Sequence, residues 1–596
     1  MHYYACLALT DRILVGAYVS PNFEPVSQLV SVRGFVIPSE ARNPGFLLAL
    51  FEPDRTARTW ARLLVVYGEL PMKLPNYLCG EWVEGAGPGE PLVDPVTGDE
   101  LARISSQGVD LSAAFEFARS HGGPALRQLS YARRTDLLAK IGEVLSANRD
   151  EYFRISLLNL GATKADASFD VDGAIYTMKY YAKIGRALAE GKMFKEGALL
   201  PLSKTGVFAG QHFLVPTQGV AVFINAFNFP AWGFCEKAAP ALLSGVPVLV
   251  KPASPTAWLA HKMVEDIVKA DILPRGAVSL ICGSARELLD HVREEDIVSF
   301  TGSADTAARV RSHANVLRRS VRVNIEADSI NSAILGPDST PGSDLFGLLV
   351  KEIVKEMTLK AGQKCTTIRR IFVPRQQLKA LGEAVAAQLS SMKVGNARNP
   401  EVSVGPVVNK AQQAACLEGM KKLTAECKVV FGANESFPLA DADPQKSAFV
   451  QPTLLACENG LAAKNVHNVE VFGPVATLVA YDNLEDLIVM TRRGRGSLVA
   501  SVFSNDPSFL QQVVLGIGDL HGRIVAVDSS VGAQHTGHGN VVPSCLHGGP
   551  GRAGGGEELA GLRALLLYHR RFVVQGPVNT LNELSALGVD ANLIYS

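Results

Sequence analysis

From Gly219 onward the chain repeats one unit, a short apolar run followed by a loop and a helix-length stretch, and few architectures accept such a string. Val220-Ala-Val-Phe-Ile is apolar at every position, as a strand covered on both faces requires. A helix through about Ser244 is expected next, then the strand Val246-Pro-Val-Leu-Val and a helix from about Thr256 to Ala270. The series continues with Val278-Ser-Leu-Ile, a short helix over Ala285–Val292, Ile297-Val-Ser-Phe, a helix from Ser303 and a strand over Val321–Ile325. Parallel strands joined this way need right-handed crossovers with helices on both faces. The expected fold class is α/β, with a doubly wound nucleotide-binding domain.

The 596 residues exceed one compact core, so two or three domains are expected. The nucleotide-binding domain is placed at 72–340, with helices over 111–190 and an extended chain or hairpin near 195–215. A second α/β domain is placed at 341–545, from a helix over Asp344–Lys360, a strand at Arg370–Val373, a helix over Gln376–Leu389 and later apolar runs. A Gly-rich loop from Leu546 and a terminal segment complete the chain. Residues 1–71 show no clear period and read as a leader, disordered or the product of an upstream start codon. Their apolar Cys6-Leu-Ala-Leu is interrupted by Asp11 and Arg12, a poor signal peptide and too short for a membrane span.

Fifty-eight Lys+Arg balance 58 Asp+Glu, which gives no reason to expect nucleic acid or an anionic membrane as partner. The nine cysteines show no CxxC or Cys/His ligand spacing, so neither a disulfide framework nor a metal site is expected. A reducing cytoplasm suits such a chain.

One cysteine stands apart. Cys365 follows a helical stretch in Gly362-Gln-Lys-Cys-Thr and precedes the strand at Ile371; Gly362 permits a sharp turn, and Lys364 suits a thiolate. Glu326 ends the strand-like run from Val321. A thiol and a carboxylate on separate elements fit covalent catalysis with a hydrolytic second step. In isolation, a small buried hydrophobe is the commoner role for a cysteine. Asn228, in Phe227-Asn-Phe-Pro, suits an oxyanion donor or a turn. Lys251 ends a strand where open sheets bind ligands. Gly302 and Ser303, in Phe300-Thr-Gly-Ser, open a helix and suit either a diphosphate or a plain N-cap.

Taken in order, Asn225-Ala-Phe-Asn-Phe-Pro, Lys251-Pro-Ala, Phe300-Thr-Gly-Ser, Glu326, Gly362-Gln-Lys-Cys-Thr and Glu470-Val-Phe-Gly-Pro-Val resemble the aldehyde dehydrogenase superfamily over about residues 74–570. The resemblance implies that Cys365 is the nucleophile, Glu326 the base for water, and Asn228 with the Cys365 amide an oxyanion hole. It also implies Gly302 and Ser303 at a cofactor diphosphate, Lys251 and Glu470 at the riboses, Phe472 against the nicotinamide, and a dimer or tetramer built through a small oligomerisation extension. Ser254 stands where NAD-preferring relatives often carry a glutamate, so NADP is expected, with NAD as the alternative.

Asn324-Ile-Glu-Ala-Asp-Ser-Ile-Asn, His535-Thr-Gly-His-Gly-Asn and the Gly-rich run from His547 through Glu557 and Glu558 resemble a narrower branch. Its members oxidise semialdehydes carrying a coenzyme A thioester, formed by ring opening in aerobic aromatic degradation. A stand-alone member is expected rather than the dehydrogenase part of a bifunctional ring-opening enzyme, because the chain stops soon after the Gly-rich loop. Arg318, Arg319 and Arg322 are candidates for the anionic handle, although a solvated face reads better; His547 and Arg552 are candidates for lining a tunnel. An enzyme that passes its acyl group to coenzyme A and a catalytically silent protein on this fold remain as rivals.

Overall fold

The computed structural model describes residues 72–434 and 436–595. Within residues 1–71 it describes only four strands, Ala5–Cys6, Val15–Tyr18, Phe46–Glu52 and Arg62–Gly68, paired antiparallel in chain order. The chain divides into two compact units, Met1–Met72 and Lys73–Ser596. The expectation of a leader over 1–71 falls on positions that, those strands apart, lie outside the described residues.

In the larger unit, one sheet runs in the spatial order Arg322–Glu326, Ile297–Thr301, Ala221–Ile224, Val248–Lys251, Val278–Leu280, Asn76–Leu78, Glu81–Val83. The first five are parallel, and the last two close one edge antiparallel. Alternate residues feed opposite faces, because side chains alternate along a strand. Ala221 and Phe223 pack with the helices Trp232–Ser244 and Ala257–Lys269. Val222, Val298 and Phe300 pack with Leu111–Phe117 and Ala304–Ser312. The chain reverses its winding at Ala221–Ile224, where Ile224 pairs with Lys251 on one side and Phe300 on the other. Loops diverge at such a reversal and leave a crevice at the carboxyl ends of the strands.

A second sheet has the order Lys428–Phe431, Thr453–Cys457, Val475–Tyr481, Ile368–Pro374, Asn331–Leu335, Ser497–Phe503, His521–Val527, parallel except at its first strand. Asp344–Thr358 and Leu378–Ser390 share an apolar cluster on one face, and Lys410–Thr424 and Pro507–Ile517 on the other. The expected extended chain near 195–215 is the hairpin Met193–Pro201 and Phe208–Pro216, joined by His569–Pro577 and Gly588–Asp590. The helix expected over Ala285–Val292 is only a 3-10 turn at Leu288–His291, since so short a segment cannot offset the cost of nucleating an α-helix. Among the described residues no helix is long and apolar enough to cross a membrane.

Candidate active site

The turn that presents Cys365 is built by unusual backbone. After the helix Asp344–Thr358, Lys360 and Ala361 take φ of 55° and 50°. Gly362 follows at φ 68°, and a Cβ there would stand 2.2 Å from the Gly473 carbonyl oxygen. Asp166 Oδ1 accepts the Lys360 amide at 2.5 Å, across 194 positions. Beyond the turn, Asn331 Nδ2 donates to the carbonyls of Cys365 and Thr367 at 2.7 and 3.0 Å. Thr366 Oγ1 donates to Gly539 O at 3.0 Å. Cys365 is left half-buried in a cleft of about 500 Å³.

Lys364 does not serve the thiolate as its position beside Cys365 led us to expect. Its ammonium is fully buried, 2.7 Å from Glu356 Oε1, because a charge taken out of water needs an ionic partner. Burial and the Glu326 carboxylate push the Cys365 thiol well above its ordinary value.

Glu326 ends its strand at the same cleft. Its Oε2 lies 3.0 Å from His547 Nε2, and its buried Oε1 has no hydrogen-bond partner. Cys365 Sγ, a Glu326 oxygen and a His547 ring nitrogen all fall within 4.8 Å of one another. Burial opposes ionisation of both partners, yet each stabilises the other's charge: the carboxyl is held below its ordinary range and the imidazole above it.

Asn228 lines the cleft with only 5% of its surface exposed, and its side chain has no hydrogen-bond partner among the described residues. It precedes the wholly buried helix Trp232–Ser244, whose first amide is capped by Asp170 Oδ1 at 2.8 Å. Pro240 has no N–H to offer the Glu236 carbonyl four residues back. Here the apolar helix carries Glu236 and Lys237. Lys237 Nζ is 2.7 Å from Glu236 Oε1 and 3.1 Å from Glu558 Oε2, and Asn324 Nδ2 donates to Glu558 Oε1 at 3.2 Å.

Sequence reasoning gave this inner ring no role and left His547 as a tunnel candidate. The available signal was a Glu-Lys pair inside an otherwise apolar helix. Arg552, the other tunnel candidate, instead faces Asp328 Oδ2 at 3.5 Å. The basic cluster is not one patch either. Arg319 pairs with Glu294 at 2.9 Å, while Arg322 donates to the carbonyls of Leu566 and His569 at 3.1 and 2.8 Å. Arg322 is spent on carbonyls at the end of the 3-10 run Gly561–Tyr568, where the Leu566 oxygen also accepts the His569 amide.

The residues expected at a cofactor flank the crevice. Lys251 and Phe300 sit on either side of Ile224 at the carboxyl edge. The half-buried Lys251 ammonium forms no hydrogen bond or ion pair among the described residues, and Ser254 opens the 3-10 turn three residues on. Gly302 N–H already donates to Glu326 O at 3.2 Å. Ser303 caps its helix by accepting the Thr306 amide at 3.3 Å, and Asp328 Oδ1 takes the Ala304 amide at 2.9 Å. The N-cap reading therefore describes Ser303 in this structure. Glu470 is held by the Ser329 amide at 3.1 Å and has Arg369 Nε at 3.8 Å, leaving Oε1 without a hydrogen bond. Burial raises its pKa to about 7, against the pull of Arg369. Phe472 packs edge-on to Phe227, their ring centres 5.7 Å apart. An ammonium without a hydrogen bond at the strand reversal and a buried carboxylate oxygen, Glu470 Oε1, without one are groups that ribose hydroxyls could satisfy.

The family profile described as "Aldehyde dehydrogenase family" matches residues 82–539. The chain is 64% identical over 479 residues to the 3,4-dehydroadipyl-CoA semialdehyde dehydrogenase of Aromatoleum evansii, covering 80% of this chain and 93% of that one. It is 27% identical over 437 residues to the non-phosphorylating aspartate-semialdehyde dehydrogenase of Halomonas elongata, covering 72% and 83%. A Staphylococcus aureus betaine aldehyde dehydrogenase variant, solved in complex with NAD+, superposes with a TM-score of 0.73 at 22% identity, covering 85% and 97%.

Proposed function

The chain belongs to the aldehyde dehydrogenase family, and on that premise we propose that it oxidises a coenzyme A-thioester semialdehyde to the matching carboxylic acid, with 3,4-dehydroadipyl-CoA semialdehyde as the specific substrate. The observation that carries the reading is the convergence of Cys365, Glu326 and Asn228 on one cleft beside the strand reversal. The substrate is inferred from the relative in Aromatoleum evansii, 64% identical over 479 residues that span 80% of this chain and 93% of that one. The enzyme oxidises an aldehyde with a nicotinamide cofactor, as its family does.

Cys365 Sγ adds to the aldehyde carbon, and the S–H bond is exchanged for a C–S bond. The Asn228 amide and the Cys365 backbone N–H receive the charge that develops on the carbonyl oxygen, a stabilisation larger in a partly desolvated cleft than in water. A nicotinamide bound beside Phe472 would supply the acceptor for the hydride lost from the substrate carbon. A thioester on Cys365 remains. Glu326 Oε1, which has no hydrogen-bond partner, takes a proton from water, and the hydroxide displaces Cys365 to release the acid. Lys251 and Glu470 would hold the two riboses, Gly302 and Ser303 would border the diphosphate, and Phe472 would pack against the nicotinamide. The unpaired Lys251 together with Ser254 favours the extra phosphate of NADP. The expected assembly is a dimer or tetramer in the cytoplasm, joined through the sheet that holds the Met193–Pro201 and Phe208–Pro216 strands. Leu200, Val207, Phe208, Phe572 and Val573 leave apolar surface there.

The test is pre-steady-state kinetics with the thioester semialdehyde. Cys365→Ala should abolish turnover, and Glu326→Gln should give one burst of reduced cofactor and then stall. Acid as product in the absence of free coenzyme A separates this reading from an acyl-transferring enzyme, and kcat/KM should favour NADP over NAD. A Glu326→Gln enzyme that turns over at the normal rate would remove Glu326 from the hydrolytic step.

A further inference from the structure

His547 has no part in the chemistry described so far, although its side chain reaches both Glu326 and Cys365. It stands on the short strand Leu546–Gly548, directly opposite Glu558 of Glu557–Leu559, with 7% of its surface exposed. One nitrogen, Nε2, is 3.0 Å from Glu326 Oε2 and 4.0 Å from Cys365 Sγ. The neighbouring cations are committed elsewhere. Lys364 is bound to Glu356, Lys237 to Glu236 and Glu558, and Arg369 donates to the carbonyls of Gly473, Gly362 and Lys364. A thiolate forming at Cys365 would otherwise face the Glu326 carboxylate with no positive charge between them, and like charges in a desolvated site suppress ionisation.

We propose that His547 is a catalytic residue, an imidazolium held by Glu326 that supplies the counter-charge for the Cys365 thiolate and anchors Glu326 Oε2 so that Oε1 is left to activate water. The inference rests on Cys365 as the nucleophile and Glu326 as the base. His547 carries no proton between groups. The thiol proton leaves to solvent through the cleft, and the imidazolium keeps its own proton through both half-reactions. After the thioester forms, the sulfur is neutral and His547 faces Glu326 alone.

The charged groups around His547 come from several elements: Glu326 at its strand end, Glu236 and Lys237 on the helix Trp232–Ser244 and Glu558 on the paired strand, with Glu470, Arg369 and Arg523 facing Cys365. Burial works against the charged ring, but Glu326, Glu236 and Glu558 together hold its pKa well above the ordinary value. The ring therefore stays charged across neutral pH, and the thiol is the group expected to titrate.

The experiment follows the rate of iodoacetamide alkylation at Cys365 against pH, with the modified residue identified by peptide mass, in the full-length enzyme. In His547→Gln the midpoint should rise by at least about one pH unit, roughly tenfold less thiolate at neutral pH. The hydride burst at pH 7 should fall by about the same factor with little change in KM. His547→Lys should bring the midpoint back down. His547→Asn is a second neutral variant whose midpoint should rise as in His547→Gln, and it decides the matter if His547→Gln does not fold. A midpoint unchanged in the neutral variant that folds, or raised as far in His547→Lys as in that variant, overturns the proposal. Turnover retained by Cys365→Ala would instead overturn the nucleophile assignment on which it rests.

Discussion

Lys237 neutralises more buried charge than its place in an apolar helix suggests. Oxygens of Glu236, Glu326 and Glu558 lie within 4.8 Å of one another, and all three residues are buried. Burial alone would discharge Lys237, but Glu236 and Glu558 hold it protonated. Replacing it by Met keeps the volume and strands the carboxylates, a loss expected at about 3–5 kcal/mol. Urea unfolding of Lys237→Met checks this; a change below about 1 kcal/mol would mean the carboxylates are neutralised some other way. Gly362 is the second sensitive position. Its φ of 68° and the 2.2 Å approach of a Cβ to Gly473 O leave no room for a side chain. Gly362→Ala should cost more than about 1 kcal/mol and suppress the hydride burst, because the strain is released by moving the Cys365 turn. Gly362 was legible as a turn glycine from its spacing to Cys365. The reach of Lys237 was not, because a Glu-Lys pair in an apolar helix signals buried charge without naming Glu558 as the third member.

At the scale of elements, the helix Lys164–Ile184 is tied to the catalytic turn through its own cap. Thr163 Oγ1 accepts the Asp166 amide at 3.2 Å while Asp166 Oδ2 accepts the Thr163 amide at 2.9 Å, a reciprocal capping box. The other oxygen of Asp166 holds the Lys360 amide. Two substitutions at one cap should therefore behave differently. Thr163→Ala should lower stability by about 1 kcal/mol and leave the burst rate unchanged. Asp166→Ala should lose about 2–3 kcal/mol and also slow the burst, since Lys360 to Gly362 lose their anchor. Thermal unfolding and stopped-flow reduction of the cofactor measure the two effects separately. Equal burst rates in both variants would show that the turn holds without Asp166. The cap is visible in Thr163-Lys-Ala-Asp166, a local pattern. Its second duty depends on a residue 194 positions away, and no local pattern reports that.

For the whole molecule, five buried imidazoles among the described residues set a limit at acid pH. Burial lowers His261, His467 and His521 to about 4, His569 to about 3 and His538 well below its ordinary value. Each folded value lies below the unfolded value of about 6.5, so the unfolded chain binds more protons in between. The contribution of these rings should be fully present above about pH 7 and fall as pH drops from about 6.5 towards 4, by about 3 kcal/mol for each ring lowered to about 4. Urea midpoints across that range should show the slope, and His569→Gln, which replaces the imidazole bonded to Tyr131 at 2.7 Å, should flatten it. A midpoint independent of pH over this window would mean the rings are already charged in the fold. The parallel sheets, their bounding helices and the order of the site motifs follow from the sequence by itself, because apolar runs, turn glycines and caps act over a few neighbouring residues. Tertiary structure alone decided which buried charges meet: His547 with Glu326, Lys364 with Glu356, Arg322 with the carbonyls ending the 561–568 run. A buried charge takes whichever partner packing brings within reach, and His547 and Cys365 stand 182 positions apart in the chain.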